Sequence, residues 1–99
     1  MALDDEETRG AIRRLHARGY LADPHSALAW SALERSLEPE ENGIFLCTAH
    51  PAKFLEVIED TLEIDMPLPV ELAEVKDKAV LSTVLNGDFQ SFKNYLLDL

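Results

Sequence analysis

Chemically capable side chains are concentrated at one short place, Cys47-Thr48-Ala49-His50-Pro51-Ala52-Lys53. It brings together a thiol, a hydroxyl, an imidazole and an ammonium group. Cys47 and His50 have the composition of a thiolate nucleophile and its base, but no oxyanion-hole signature accompanies them. Cys47 ends an apolar run, Ile44-Phe45-Leu46-Cys47, and is expected to be a buried small hydrophobe. Lys53 has the functional group of a Schiff-base lysine. It falls in the first turn of an amphipathic pattern, with no neighbour to depress its pKa, so a surface or phosphate-facing position suits it better. Thr48 stands at the C-terminal end of the strand-like run, the edge at which open α/β sheets bind ligands. It can also serve as a plain N-cap for the following helix. Pro51 fits the first helical position, which would put His50 at the cap and leave the Thr48 hydroxyl free.

Elsewhere the residue types are present without the spacing. His16, His25 and His50 lie far apart, with no i,i+4 pair to hold a metal. His16 reads as a solvated helix residue, and His25 and His50 each adjoin a proline at a helix start. The many carboxylates fall on polar helix faces and loops, where solvation accounts for them without a glycosidase-like pair.

The elements that must position this corner are mostly helical. In DDEETRGAIRRLHARG the acids at 4–7 crowd the first turn, and Arg13, Arg14 and Arg18 sit toward the last. Gly19 is available for a left-handed cap. The apolar face, Ala11, Ile12 and Leu15, is thin and predicts an outer helix. ADPHSALAWSALERSLEP predicts a second helix, with Asp23 as N-cap and Pro24 at the first position. Six of the seven residues from Ala27 to Leu33 are apolar, so this helix should be covered on most sides. GIFLCT is too short for a helix and reads as a strand buried on both faces. PAKFLEVIEDTL, opened by Pro51, places Phe54, Ile58 and Leu62 on one helical face, with Val57 beside them. From Glu63 to Lys78 the prolines 67 and 69 leave room for one short helix near Val70–Val75. AVLSTVL has an extended character. Asn86-Gly87-Asp88 is a turn and cap, after which Phe89, Phe92 and Leu96 share a face. A lone strand of this kind needs neighbours that the chain does not obviously supply.

Nineteen acidic against nine basic residues give a net charge of −10. Nucleic acid and anionic membranes offer no counter-charge to such a surface and are not expected as partners. No apolar stretch approaches the ~20 residues needed to cross a bilayer. The start, Met1-Ala2-Leu3-Asp4-Asp5, has neither the basic nor the apolar part of a signal peptide, and a single cysteine forms no intrachain disulfide. A reducing cytoplasm is the expected setting.

GIFLCTAHPAKF resembles the strand–turn–helix near the C-terminus of the threonine synthase family, which carries a G-x-F-x-x-T-A-H-P-A-K-F pattern. GYLADPHSALAWSAL is similar to the family's G-Y-x-x-x-P-H-x-A segment. The late helix with D-F-x-x-x-K, Asp88 to Lys93, comes at the matching distance. The resemblance covers essentially the whole chain.

It implies an α/β, mostly helical architecture: the C-terminal part of a fold-type II pyridoxal-phosphate enzyme, with about four to five helices and one or two short strands. Residues 1–62 would belong to the large domain and 63–99 to a C-terminal extension. The implied reaction turns O-phospho-L-homoserine and water into L-threonine and phosphate, with pyridoxal 5'-phosphate as cofactor. Matched motif to motif, Thr48 would meet the cofactor's pyridine nitrogen. The family's Schiff-base lysine and glycine-rich phosphate loop find no match here. The chain is therefore expected to be a segment whose partner is the remainder of the enzyme, and to be inactive alone. Ile44–Cys47 and the apolar sides of Trp30, Leu33 and Phe54 would then seek cover, giving a homodimer. The competing expectations are a stand-alone acidic helical module that binds another protein and, with less in its favour, a small thiol or metal hydrolase.

Overall fold

In the computed structural model, which describes residues 2–99, local signals at several helix ends are matched by a specific hydrogen bond. Helix α1 spans Asp5–Ala17. Its N-cap, Asp4, accepts from the Glu7 N–H at 2.8 Å, while the Glu7 carboxylate accepts from the Asp4 N–H at 3.0 Å. This reciprocal capping box satisfies two of the four orphan donors of the first turn. At the other end Gly19 takes φ +86°. There the Gly19 N–H reaches the His16 carbonyl at 2.9 Å and the Tyr20 N–H reaches Leu15 at 3.1 Å. Those two bonds make a Schellman turn, which needs the left-handed conformation that glycine adopts without a Cβ penalty.

Helix α2, Pro24–Ser36, begins at Asp23 with Pro24 in the first turn, as the sequence indicates. A 3₁₀ turn over Pro51–Phe54 leads into α3, Leu55–Leu62. Helix α4 is a single turn, Val70–Ala73, and α5 covers Phe89–Leu97. Asp88 caps α5, accepting from the Ser91 N–H at 2.8 Å and the Ser91 hydroxyl at 2.7 Å.

Helix α1 is not an outer helix. It packs against both α2 and α3, and its three apolar residues are all buried, Ile12 completely. A thin stripe suffices because small residues on the facing surfaces (Ala11, Ala22, Ala27, Ala52) allow close approach around Ile12, Trp30 and Ile58. The arginines that flank the stripe reach across to the neighbouring helices. Arg9 donates to Asp60 at 2.7 Å and to the Thr61 hydroxyl at 2.8 Å on α3. Arg14 and Arg18 both reach Glu34 on α2, and each guanidinium stands 5.1 Å from the centre of the Trp30 ring. Arg35 on α2 pairs with Glu7 at 2.8 Å. The planar guanidinium groups stack on the indole and shield it from water. Trp30 is therefore covered within the chain rather than left seeking a partner, and Leu33 and Phe54 are half-buried.

The expected strand is absent among the described residues. Gly43 to Thr48 have no sheet partner, and Ile44 and Leu46 are 90% and 75% exposed, while Phe45 between them packs on the core. The alternation is that of an extended segment, but a ladder requires a second backbone, and none lies alongside. Gly43 sits tight against Leu33, where an added Cβ would come within 2.6 Å of its side chain.

Leu68 and Leu72 still pack on this three-helix core, and beyond Leu72 the chain leaves it. Val80, Leu81, Val84, Phe89 and Leu97 are among its strongly exposed residues, Leu81 at 97%, and α5 buries no side chain. The radius of gyration is 18.2 Å, against about 13 Å for a compact chain of this length. The contrast sets the helical core apart from a projecting apolar arm.

Replacing Gly19 by alanine should lower stability by about 1–2 kcal/mol, the cost of holding a side-chain-bearing residue in the left-handed region. Urea unfolding of the chain and of G19A measures it. Equal midpoints would mean that the Schellman turn does not hold the end of α1.

Candidate functional site

The corner is fixed from beneath by Asp23, a carboxylate only 1% exposed. It accepts from the His25 N–H at 3.0 Å, the Ser26 N–H at 3.3 Å and the Ser26 hydroxyl, and its second oxygen lies 3.2 Å from His25 Nδ1. Burial works to raise its pKa. The hydrogen bonds from the Ser26 hydroxyl, the two backbone N–H groups and the His25 ring outweigh it, holding the carboxyl below its usual range. His25, oriented this way, sets its ring 5.1 Å from that of Phe54 at 59°. Phe54 closes the 3₁₀ turn. The start of α2 thus locates the end of the Thr48–Phe54 corner.

Within the corner His50 is the cap. Its Nδ1 accepts from the Ala52 N–H at 3.1 Å, so the neutral ring carries its proton on Nε2. Pro51 comes next, at the first helical position, where a missing N–H leaves nothing unpaired. The Thr48 side chain is exposed and its hydroxyl makes no hydrogen bond to any described residue. Of the two arrangements open to the sequence, the chain adopts the one in which Thr48 is not the cap.

Thr48, His50 and Lys53 share the rim of a hollow of about 760 Å³, and Cys47 joins them. Its other walls are Tyr20 and Leu21, from the α1–α2 connection, and Met66 and Pro67. A hydrogen bond of 2.9 Å from the Met66 N–H to Glu59 ties that last wall back to α3. The volume falls within the range that holds a small molecule. Cys47 is exposed, not the buried hydrophobe expected, because the run that carries it has no covering strand. It forms no hydrogen bond with His50. The Cys47 side chain beside Tyr20 comes first among the influences that raise the tyrosine's pKa; partial burial and the charge of Asp23 add to it. His16 is remote from the hollow, and among the described residues no three His, Cys, Asp or Glu side chains gather to hold a metal ion. Among those residues no helix is long and apolar enough to cross a membrane.

Sequence patterns alone do not single out Tyr20 or Met66. Tyr20 comes directly after the Schellman glycine, so its placement is in principle legible there. Met66 arrives through a loop bond to Glu59, which no local pattern announces.

A hollow with a helix cap, His50, and a free hydroxyl on its rim is a ligand-sized site on a helical scaffold. Comparison with known proteins identifies the scaffold. The family described as "Threonine synthase, C-terminal" matches residues 26–96. The crystal structure of threonine synthase from Escherichia coli superimposes with a TM-score of 0.89 at 44% identity, covering 99% of this chain and 23% of that one. Threonine synthase from Haemophilus influenzae is 43% identical over 96% of this chain and 22% of its own length, and that from Serratia marcescens 41% over 99% and 23%. The chain belongs to the threonine synthase family, in the region of its C-terminal part. It spans less than a quarter of the length of these relatives.

The stability contributed by Asp23 has a definite pH sign. Its folded pKa is lowered from 3.8, so the contribution is complete above 3.8 and is lost as pH falls through the lowered folded value. Asp23→Ala should cost about 1–2 kcal/mol at pH 7 through the lost cap and should flatten the acid limb of stability. Glu7 and Asp88, also lowered, keep a residual slope. Urea midpoints between pH 2 and pH 7 measure it. An acid limb of unchanged steepness in the variant would remove Asp23 from this role.

Proposed function

We propose that the chain is the C-terminal part of an enzyme that converts O-phospho-L-homoserine and water into L-threonine and phosphate, with Thr48 as the residue that meets the pyridine nitrogen of pyridoxal 5'-phosphate. The observation that carries this reading is the division of labour at the corner: His50 caps the helix, and Thr48 keeps a free hydroxyl over a ligand-sized hollow. The residues fit the group. The small side chain of Ala49 on the lining leaves room for a flat ring, and a hydroxyl can donate to a ring nitrogen.

When bound, the cofactor supplies an electron sink for negative charge developing on the substrate carbons. What this chain contributes is the environment of the ring nitrogen. Thr48 is neutral and, unlike a carboxylate, does not hold a proton there, which moderates the sink and bears on the choice among elimination and replacement steps. His50 and Pro51 fix the backbone so that the Thr48 hydroxyl faces the hollow and not the helix N-terminus. The lysine that carries the cofactor and the loop that binds its phosphate would come from the remainder of the enzyme. The isolated 99 residues would accordingly be inactive. The same remainder would cover the apolar arm from Val80 to Leu99; a chain kept free of it would bury that arm against a second copy.

The test is to graft these residues in place of the matching region of the Escherichia coli enzyme and to compare it with a Thr48→Val form. Valine keeps the β-branched shape and removes only the hydroxyl. The graft should turn over O-phospho-L-homoserine. T48V should lose about tenfold or more in kcat/KM while its melting temperature stays within about 2 °C. An unchanged kcat with a lowered melting temperature would make Thr48 structural.

A further inference from the structure

Every arginine of the chain is engaged in an ion pair with a carboxylate, but Lys53 is not. Its ammonium group makes no hydrogen bond or ion pair with any described residue, and it lies on the rim of the hollow that Thr48 faces. The hollow has an unusual charge pattern for this protein. The chain has nineteen acidic residues, yet none of them lines it. Its titratable lining groups are Tyr20, Cys47, His50 and Lys53. Tyr20 is neutral at pH 7, the more so because its pKa is raised. His50 turns Nδ1 inward to the Ala52 N–H, which leaves an Nε2 donor, and never an anion, on the outer side. The carboxylate that acts on Tyr20 in this wall is Asp23, buried and engaged by Ser26 and His25. Lys53 is thus the one permanent charge on the lining, and it is positive.

We propose that Lys53 is a positioning residue for the proton balance of the cofactor: its ammonium group keeps the ring nitrogen unprotonated. This role rests on the proposed pairing of Thr48 with that nitrogen. A protonated ring would put a second positive charge into a hollow to which this chain contributes no carboxylate. An unprotonated nitrogen offers its lone pair to the Thr48 hydroxyl, which then donates. The Thr48 hydroxyl alone selects no protonation state, since it can donate or accept. The cation on the same rim supplies the missing bias. Lys53 touches neither substrate nor reacting atoms in this role; it acts through charge.

The ring nitrogen can be observed directly. The grafted full-length enzyme, loaded with cofactor labelled with ¹⁵N in the ring, is followed by nitrogen NMR from pH 6 to pH 9. Lys53→Met should raise the pH at which the nitrogen protonates by about one unit, a tenfold change in proton affinity, the scale expected of one nearby, partly solvated charge. Lys53→Arg, which keeps the charge, should restore the unprotonated signal. Lys53 is exposed, so neither change threatens the fold. A nitrogen signal in K53M identical to that of the unsubstituted enzyme, with T48V still shifting it, would overturn the role of Lys53 and leave the Thr48 assignment standing. A signal indifferent to T48V as well would remove Thr48 from the ring nitrogen, and the role of Lys53 would fall with it.

Discussion

The buried carboxylate of Asp23 is the constraint on which the rest of the molecule depends. A charge taken out of water is costly unless its lone pairs are filled, and here donors from the first turn of α2 fill them. Filling them fixes where α2 begins. It also orients the His25 ring, and through that ring Phe54, so a distant stretch of chain acquires its place from one carboxylate. Helix starts are ordinarily local matters. This one is a tertiary joint because the capping side chain is buried and its neighbour carries an aromatic ring.

The docking of α1 rests on a similar economy. Three apolar residues are too few to hold a helix between two others by area alone. Guanidinium groups supply the rest, since their stems cover apolar surface while their planar heads reach carboxylates and the Trp30 ring. Arg14 and Arg18 suit the helix dipole, as charge placement alone implies, but their contacts to Glu34 and Trp30 are the larger structural fact. Glu34 answers both of them from α2.

Helix starts and stops are legible in the sequence because each rests on a few adjacent residues: Asp23 before Pro24, Gly19 after the basic turn, Asp88 after Asn86-Gly87. The corner is legible for the same reason, since Pro51 dictates that the residue before it should cap. What sequence cannot carry is anything requiring a second backbone. GIFLCT has a strand's composition, and its residues do alternate in and out, but sheet formation depends on a neighbour. The exposure of Cys47 is a consequence of that missing neighbour. The thin stripe of α1 is a true feature of its composition but a poor guide to its position, because long-range arginine contacts leave no periodic signature.

A hydroxyl that caps a helix must aim its oxygen at the backbone N–H groups of the first turn, and the direction of its remaining donor is then set by that geometry. At Thr48 to Lys53 the cap is held by an imidazole two residues further on. The imidazole suits that place because one ring nitrogen can accept from the helix while the other stays outside as a donor. Among the described residues the hydroxyl is left without a partner, and the only unpaired group of fixed charge on the same rim is an ammonium. Helix initiation is therefore left to His50 and Pro51, while the Thr48 hydroxyl and the Lys53 ammonium stay on the rim of the hollow. That arrangement accounts for the histidine and the proline of this turn, where glycine or asparagine would have sufficed to change direction; the threonine and lysine side chains are not used by the turn itself.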